Sequence, residues 1–344
     1  MEATQKHIEF INNYRIDPLA EISEPPTYCL INSRPSLTAG NFSLIYGKKK
    51  AGKTFLLGGV VASAINNSLQ IGAIKGCLPE NKNVVLYFDT EQSQYHANRT
   101  IKRICSLVGN LSPDNLFAYG LRPLSPKERL DVIEAVILMT PNVGLVAIDG
   151  IRDLLTMGIN DEQEATKLTS SFLKWSYDLD IHIILLLHQN KNDLNARGHI
   201  GSEVVNKAET VISVTKEDKS NAFKVVCEDS RDMPFDEFGF TISEDGLPIS
   251  CDLSKFKPRK VTDPNHITSE KHLENLTTLF KGGLEYTYGT LKTALMHEYN
   301  IGRDASEKFI SYYIDKNWIT KEQRGKCSYH KFNSNATSFF YYPN

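Results

Sequence analysis

The chain of 344 residues has few of the features that mark membrane, secreted or metal-binding proteins. Its longest apolar runs, such as residues 181–187, are much shorter than the roughly 20 residues that a membrane helix needs. No stretch near the start combines basic residues, an apolar segment and a small-residue cleavage site, so we expect a cytoplasmic protein with no membrane partner. The six cysteines lie far apart without a C-x-x-C pair, which argues against a zinc site or a disulfide framework.

Excess charge of one sign is also lacking, because the formal net charge at pH 7 is only −2. A protein of this charge does not bind polyanions over its whole surface, so any contact with nucleic acid would need local basic patches. The apolar and charged fractions, 41% and 23%, are those of a globular protein. The length suggests two domains, or one large core with an appendage.

Residues 47–54 read G-K-K-K-A-G-K-T, a complete G-x-x-x-x-G-K-T phosphate-binding loop between a strand-like run and a helix-like run. Its glycines let backbone N–H groups point at the phosphates, and the helix N-terminus adds a positive dipole end. We expect Lys53 to contact the β- and γ-phosphates of ATP and Thr54 to bind Mg²⁺. The predicted nucleotide-binding residues are Gly47, Lys48, Lys49, Lys50, Ala51, Gly52, Lys53, Thr54 and Phe55.

Carboxylates follow two further apolar runs. Asp149 ends one of them, as a Walker B aspartate does, and would hold the metal and its water beside Thr54. The other run is followed by Asp89 and Glu91, either of which could orient and deprotonate the attacking water, and Glu91 is the preferred base. Asp149 could also cap a following helix, and Glu91 could be an ordinary surface acid.

Apolar, β-branched runs alternate with helix-like segments from residue 41 onward. The predicted strands are 42–46, 84–89, 116–119, 145–149 and 181–187, and the predicted helices are 53–66, 93–109, 126–139 and 161–179. This alternation predicts an α/β fold with a mostly parallel sheet sandwiched by helices. Three closely spaced strand-like runs follow residue 198, and we expect them to form antiparallel strands at one edge of the sheet.

Five segments are predicted along the chain. They are a lead-in with a short helix and irregular structure (1–40), the ATPase core (41–251), a linker (252–265), a small C-terminal domain (266–333) and a tail (334–344). The C-terminal domain reads as three helices and a β-hairpin, the outline of a winged helix. Its hairpin carries Lys321, Arg324 and Lys326 as candidates for contact with DNA phosphates, although winged helices also bind proteins.

These motifs together resemble the RecA-like ATPase core, most closely the branch with the plasmid RepA-type and DnaB-type hexameric helicases. The resemblance spans about residues 35–245. Beyond the phosphate-binding loop, it rests on F-D-T-E at 88–91, the apolar strand ending in Asp149 and L-L-H-Q at 186–189. It implies a ring-forming homo-oligomer, such as a hexamer, with ATP at subunit junctions. It also implies binding to single-stranded DNA and to replication or mobilisation proteins.

The resemblance also implies roles for particular residues. Glu91 becomes the hydrolytic base, and His188 and Gln189 become sensors of the γ-phosphate. Arg231 lies where the family has an arginine that reaches the neighbouring subunit's ATP, but Asp229 stands where the family has a lysine. The alternative for Arg231 is a surface arginine paired with a nearby aspartate.

Residues 190–202 correspond to the segment that faces single-stranded DNA in the family, and Lys191, Arg197 and His199 are its candidate contacts. A solvated loop is the other interpretation of the same polar composition. The sequence as a whole predicts an ATP-hydrolysing DNA motor, with catalysis by Lys53 and the acids named above. A nucleotide-gated DNA-binding switch or loader is the alternative, and a small-metabolite kinase is a weaker third reading.

Overall fold

The computed structural model describes residues 11, 14–189, 198–217, 221–255, 263–299, 301–325 and 327–333. The chain divides into two compact units, Met1–Phe256 and Lys257–Asn344. The division falls inside the predicted linker, and the predicted tail lies outside the described residues. Within the described ranges, no helix is long and apolar enough to cross a membrane.

The first unit alternates strands with helices. Its strands are β1 Thr27–Ile31, β2 Arg34–Thr38, β3 Phe42–Gly47, β4 Leu69–Gln70, β5 Ile74–Gly76, β6 Val84–Asp89, β7 Leu116–Gly120, β8 Val143–Asp149, β9 His182–His188, β10 Thr210–Lys216, β11 Ala222–Ser230, β12 Phe238–Ile242 and β13 Pro248–Cys251. Its α-helices are α1 Lys53–Asn66, α2 Gln94–Val108, α3 Pro126–Met139, α4 Glu162–Leu179 and α5 Gly198–Lys207.

Nine of these strands form one large sheet in the order β13-β12-β11-β10-β3-β9-β8-β6-β7. The six strands from β10 to β7 are parallel to one another, while β11, β12 and β13 extend the β10 edge in antiparallel fashion. The predicted α/β fold with a mostly parallel sheet is therefore confirmed.

Helices cover both faces of this sheet, because side chains along a strand point alternately to its two sides. Ile45 of β3 belongs to the core that includes residues of α1 and α2. Leu44, its neighbour, belongs to the opposite core with residues of α3, α4 and α5. Strands buried on both faces read as continuous apolar runs, which is why their positions could be predicted from the sequence.

The prediction of an irregular lead-in over residues 1–40 is wrong for its second half. Strands β1 and β2 join β4 and β5 in a four-stranded sheet of order β2-β1-β5-β4, and Tyr28, Ile31 and Leu37 are fully buried. Pro35 is tolerated because β2 is an edge strand of this sheet. Strand β1 pairs with the adjacent β2 on one side, but on the other side its partner is β5, where Leu30 pairs with Lys75, so no local pattern indicated this second pairing.

The second unit contains three helices followed by a hairpin, in the predicted order. Its helices are α6 Ser269–Leu279, α7 Tyr288–Glu298 and α8 Arg303–Asp315, and its strands are β14 Tyr286–Thr287, β15 Ile319–Arg324 and β16 Cys327–Phe332. Strand β14 pairs with β16, so the hairpin becomes a three-stranded sheet. Buried residues from all three helices form a separate core, with Leu276, Leu291 and Phe309 almost fully covered.

Candidate nucleotide-binding site

The phosphate-binding loop joins β3 to α1 and needs glycine at two places. A Cβ on Gly47 would lie 2.3 Å from the carbonyl oxygen of Val214 in the neighbouring strand. Gly52 has φ of +89°, and its Cβ would lie 2.6 Å from the ring of Phe223. The loop is therefore held against β10 and β11, at the carboxyl ends of the parallel strands, where ligands bind in open α/β sheets.

The ammonium group of Lys53 lies inside this loop. Its Nζ is 3.1 Å from the Gly47 carbonyl oxygen, 3.0 Å from that of Lys48 and 3.1 Å from His188 Nδ1. Burial lowers the pKa of Lys53 to about 8, against the opposing charges of Asp149 and Glu91. A bound phosphate would restore the lysine's preference for the charged form, because an opposite charge nearby raises the pKa of a base.

Asp149 lies at the end of β8, where it meets Thr54. Thr54 Oγ1 donates to Asp149 Oδ2 at 3.1 Å, and the hydroxyl of Tyr87 donates to the same oxygen at 3.0 Å. Burial raises the pKa of Asp149 to about 6, and the charge of Asp89 adds to the shift. The Asp149 side chain thus contacts α1 and β6, and Gly150 is the residue that precedes the following 3-10 turn.

The donor set at this point fits Mg²⁺. A hydroxyl and a carboxylate from the protein, with phosphate oxygens and water, are what Mg²⁺ takes in nucleotide sites. Thr54 and Asp149 are close enough to hold one ion between them. Such an ion would neutralise charge on the β- and γ-phosphates.

The two acids after β6 are placed differently. Asp89 is buried, and its carboxylate accepts hydrogen bonds from Glu91 N at 3.1 Å, Gln92 N at 2.8 Å and Gln92 Nε2 at 2.7 Å. Glu91 has 51% of its side chain exposed, and its Oε2 lies 3.3 Å from His188 Nε2. The hydrogen bond from His188 is the main cause of a lowered Glu91 pKa. The geometry therefore favours Glu91 over Asp89 as the base, because the oxygens of Asp89 are committed to the turn.

Thr90 and Gly150 lock the turns after β6 and β8 together, a contact that the sequence did not reveal. Thr90 Oγ1 lies 2.7 Å from the Gly150 carbonyl oxygen. Gly150 has φ of +112°, and a Cβ there would lie 2.5 Å from Thr90 Oγ1. The glycine after the Walker B aspartate is a local signal for such a close approach.

A cleft of about 590 Å³ extends from the loop over the sheet edge. Besides predicted residues, it is lined by Arg152, Asp153, Lys216, Asn221, Phe223 and Ile242. The ring of Phe223 stacks with that of Phe55 at a centroid distance of 6.5 Å, and the Arg103 guanidinium lies 4.0 Å from the Phe55 centroid. The sequence did not predict the lining residues Lys216, Asn221, Phe223 and Ile242, because the segment β10 to β12 that supplies them lies more than 150 residues after the loop.

The end of β9 adjoins the phosphate-binding loop. Gly47 pairs with His188 across the sheet, and Gln189 N donates to the Gly47 carbonyl oxygen at 3.0 Å. Gln189 is buried, and His188 contacts both Lys53 and Glu91. The structure thus brings predicted residues of the loop, among them Lys53 and Thr54, together with Glu91, Asp149 and His188 from three strand ends around one cleft.

Arg231 lies away from this cleft. It follows β11, whose last residue pairs with the first residue of β10, and its N–H donates to the carbonyl oxygen of Glu209 at 2.9 Å. Glu209 N in turn donates to the carbonyl oxygen of Phe42, at the start of β3. Arg231 therefore occupies the opposite end of the sheet from the phosphate-binding loop, where its guanidinium donates to the Lys207 carbonyl oxygen at 3.0 Å.

The candidate DNA contacts are only partly described. Lys191, Arg197 and Lys326 lie outside the described residues. His199 is exposed in the first turn of α5, and Lys321 is exposed on β15. Arg324 is held by two carboxylates, those of Glu285 and Glu322.

A comparison with protein families assigns this chain to a family. No curated protein matches the chain. The family model described as AAA domain matches residues 18–193, which make up half of the chain and include the phosphate-binding loop, Glu91, Asp149 and Gln189. The match agrees with the cleft, where a lysine, a hydroxyl and acids meet as a nucleotide and its metal require. The chain belongs to the AAA domain family and is a P-loop ATPase.

Proposed function

We propose that this ATPase is an oligomeric DNA motor of the RepA-like helicase type. The observation that supports the proposal is a contact between the segments that follow β8 and β9. A Cβ on Gly198, the first residue of α5, would lie 2.5 Å from the carbonyl oxygen of Ile159. Ile200 N donates to the same oxygen at 3.4 Å. Because β8 ends in Asp149 and β9 ends beside Lys53, both segments start at the candidate nucleotide cleft and come together again at one place.

Exposed side chains at this meeting point support a contact with single-stranded DNA. Met157 has 76% of its surface exposed, and the N–H groups of Thr156 and Met157 are fixed by the carboxylate of Glu164. His199 is exposed nearby on α5. An imidazole ring suits stacking on a base, and an exposed apolar side chain suits packing against one.

The place of Arg231 supports an oligomer. An arginine at the far end of the sheet does not reach the cleft of its own chain, whereas a second copy of the chain could present it there. A cation supplied in trans stabilises the charge that develops during phosphoryl transfer. We therefore assign to Arg231 the completion of a neighbour's site.

The first test measures ATP turnover with and without single-stranded DNA, together with molecular mass by light scattering. We expect stimulation by DNA, a mass of several chains and separation of a forked duplex. Lys53→Ala, which removes the charge at the phosphates, serves as the inactive control. A protein that binds DNA and hydrolyses ATP but never separates the fork would contradict the motor.

The second test mixes Arg231→Ala chains with wild-type chains. If Arg231 acts in trans, each mutant chain disables a wild-type neighbour, so turnover per wild-type chain should fall as the mutant fraction rises. Since one finger arginine contributes about 10³-fold or more to turnover, Arg231→Ala alone should be nearly inactive. Turnover in strict proportion to the wild-type fraction would remove the trans role.

A nucleotide-gated DNA-binding switch is the second candidate. It is favoured by Asp229, which replaces the family's lysine, and by the ion pairs that already neutralise Arg324 in the hairpin. The second unit would then bind a replication or mobilisation protein rather than DNA. A small mass and turnover insensitive to DNA would support this reading.

A further inference from the structure

We propose that His188 is a positioning residue that holds Lys53 and Glu91 through its two ring nitrogens before nucleotide binds. In this arrangement, the arrival of the phosphates releases the lysine, while the bond to Glu91 keeps the base in place. The inference rests on the ATPase activity and is independent of any role in DNA binding.

The three N–H donors of Lys53 are all occupied within the site. An ammonium group has three N–H donors and no acceptor. Three acceptors surround Nζ at 3.0 to 3.1 Å, the carbonyl oxygens of Gly47 and Lys48 and Nδ1 of His188. Every donor of the lysine is therefore satisfied within the site, and a phosphate must displace at least one of these acceptors to bind it.

The contact with Lys53 determines which ring nitrogen of His188 carries the proton. Because Lys53 can only donate, Nδ1 must accept, and the proton of the neutral ring must reside on Nε2. Nε2 lies 3.3 Å from Oε2 of Glu91, so it donates to that carboxylate. The direction of both hydrogen bonds is thus set by the lysine, from Lys53 to His188 and from His188 to Glu91.

The backbone that carries the His188 ring is anchored at the phosphate-binding loop. His188 pairs with Gly47 across the β3–β9 ladder, and Gln189 N donates to the Gly47 carbonyl oxygen at 3.0 Å. The backbone of His188 is therefore fixed to the start of the phosphate-binding loop. When Lys53 moves to a phosphate, the anchored ring therefore keeps its bond to Glu91.

The two ring nitrogens of His188 therefore affect different properties, nucleotide binding and turnover. The bond at Nδ1 competes with phosphate for Lys53 and therefore weakens nucleotide binding. The bond at Nε2 holds the carboxylate of Glu91, whose side chain is half exposed, at a defined place and therefore favours turnover. A residue that could make only one of the two bonds should change only one of the two properties.

Two substitutions separate these bonds. The amide oxygen of His188→Asn stands near the position of Nδ1 and keeps an acceptor for Lys53, but it leaves Glu91 without its donor. The amide nitrogen of His188→Gln stands near the position of Nε2 and keeps the donor for Glu91, but it leaves Lys53 with one acceptor fewer.

We expect His188→Gln to bind ADP and ATP about fivefold more tightly, the worth of one ordinary hydrogen bond, with kcat within about twofold of wild type. We expect His188→Asn to keep the wild-type Kd within about twofold and to lose about tenfold or more in kcat, since a base must be well placed to act. Kd is measured by titration calorimetry, and kcat is measured by phosphate release at saturating ATP.

The same two substitutions at His96, an exposed residue of α2, are the matched controls and should change neither value. Parallel changes of Kd and kcat in both His188 variants would overturn the inference, because a merely structural role moves them together. A wild-type protein that binds ATP without hydrolysing it would overturn the ATPase conclusion and the inference with it. Loss of DNA binding alone would affect only the proposed motor.

Discussion

At the scale of single residues, the two acids of the Asp89-Thr90-Glu91 segment illustrate how contacts assign chemistry. The sequence offers both as bases. Asp89 already accepts three hydrogen bonds within its own turn, while Glu91 faces the cleft and contacts His188. A general base needs a free lone pair and room for water, and Glu91 meets both conditions.

We predict that substitution of Glu91 lowers turnover and that substitution of Asp89 lowers stability. Glu91→Gln should bind ATP as wild type does and lose about 100-fold or more in kcat, because the amide cannot take a proton from water. Asp89→Ala should lower the free energy of unfolding by about 2 kcal/mol, because three donors of the turn lose their acceptor. Turnover assays and urea denaturation measure the two effects.

The comparison between the variants decides the assignment. If Asp89→Ala unfolds at the wild-type urea concentration yet hydrolyses no ATP, the base is Asp89. If Glu91→Gln loses ATP binding along with hydrolysis, Glu91 belongs to the binding site instead.

At the scale of elements, the β15–β16 hairpin differs from the basic patch that its sequence predicts. Arg324 contacts Glu285 and Glu322, and Lys331 contacts the same two acids, in a closed network of two cations and two anions. Arg324 and Lys331 lower the pKa of Glu322 to about 2, so the network is fully charged at neutral pH. Cations already neutralised in this way contribute less to phosphate binding than exposed ones do.

We therefore predict that Lys321 and Arg324 are not equivalent. Lys321→Ala should reduce the slope of log K against log[salt] for DNA binding by about one, because one phosphate contact is lost. Arg324→Ala should leave that slope nearly unchanged and lower the Tm of the second unit. Fluorescence anisotropy at several salt concentrations and thermal unfolding give the two readouts. Equal slopes for wild type and Lys321→Ala would exclude Lys321 as a phosphate contact.

At the scale of the whole molecule, the large sheet of the first unit separates two polar regions. The nucleotide cleft lies at the carboxyl ends of the parallel strands, and a buried pair, His182 and Glu209, lies at their amino ends. His182 Nδ1 donates to the carbonyl oxygen of Thr38 at 2.8 Å, and Thr38 N donates to Glu209 at 2.9 Å. Arg231 is attached to the same end through the Glu209 carbonyl oxygen.

This pair makes the stability of the first unit depend on pH. Burial lowers the pKa of His182 to about 4, so below about pH 6.5 the unfolded chain takes up a proton that the folded chain does not. Stability from this residue is therefore lost as the pH falls from about 6.5 to about 4, by up to about 3 kcal/mol. Burial raises the pKa of Glu209, which gives a slope of opposite sign over its own range.

We predict that His182→Gln flattens the loss of stability between about pH 7 and about pH 4.5, because it removes the histidine's proton uptake and leaves that of Glu209. The unfolding free energy is measured in urea by the fluorescence of Trp175, with Trp318→Phe in both proteins so that only the first unit reports. An unchanged pH slope in the variant would show that His182 is not the group responsible.

Much of this protein was determined by its sequence alone. Gly47 to Thr54, Glu91 and Asp149 could be predicted to lie at one site because each belongs to a short motif next to an apolar strand, and strands buried on both faces are continuous apolar runs. The strands and helices of the core were found at nearly their observed bounds for the same reason. Local sequence suffices where the chemistry and the backbone geometry come from neighbouring residues.

Only the tertiary structure decided what depends on distant residues. Three such relations join segments far apart in the chain. They are the pairing of β1 with β5, the close approach of the Phe223 ring to Gly52, and the contact of His188 with both Lys53 and Glu91. The separation of Arg231 from its own cleft follows from the direction in which β11 runs. No local pattern encodes these relations, because they arise from how strands order themselves to bury apolar faces and satisfy buried polar groups.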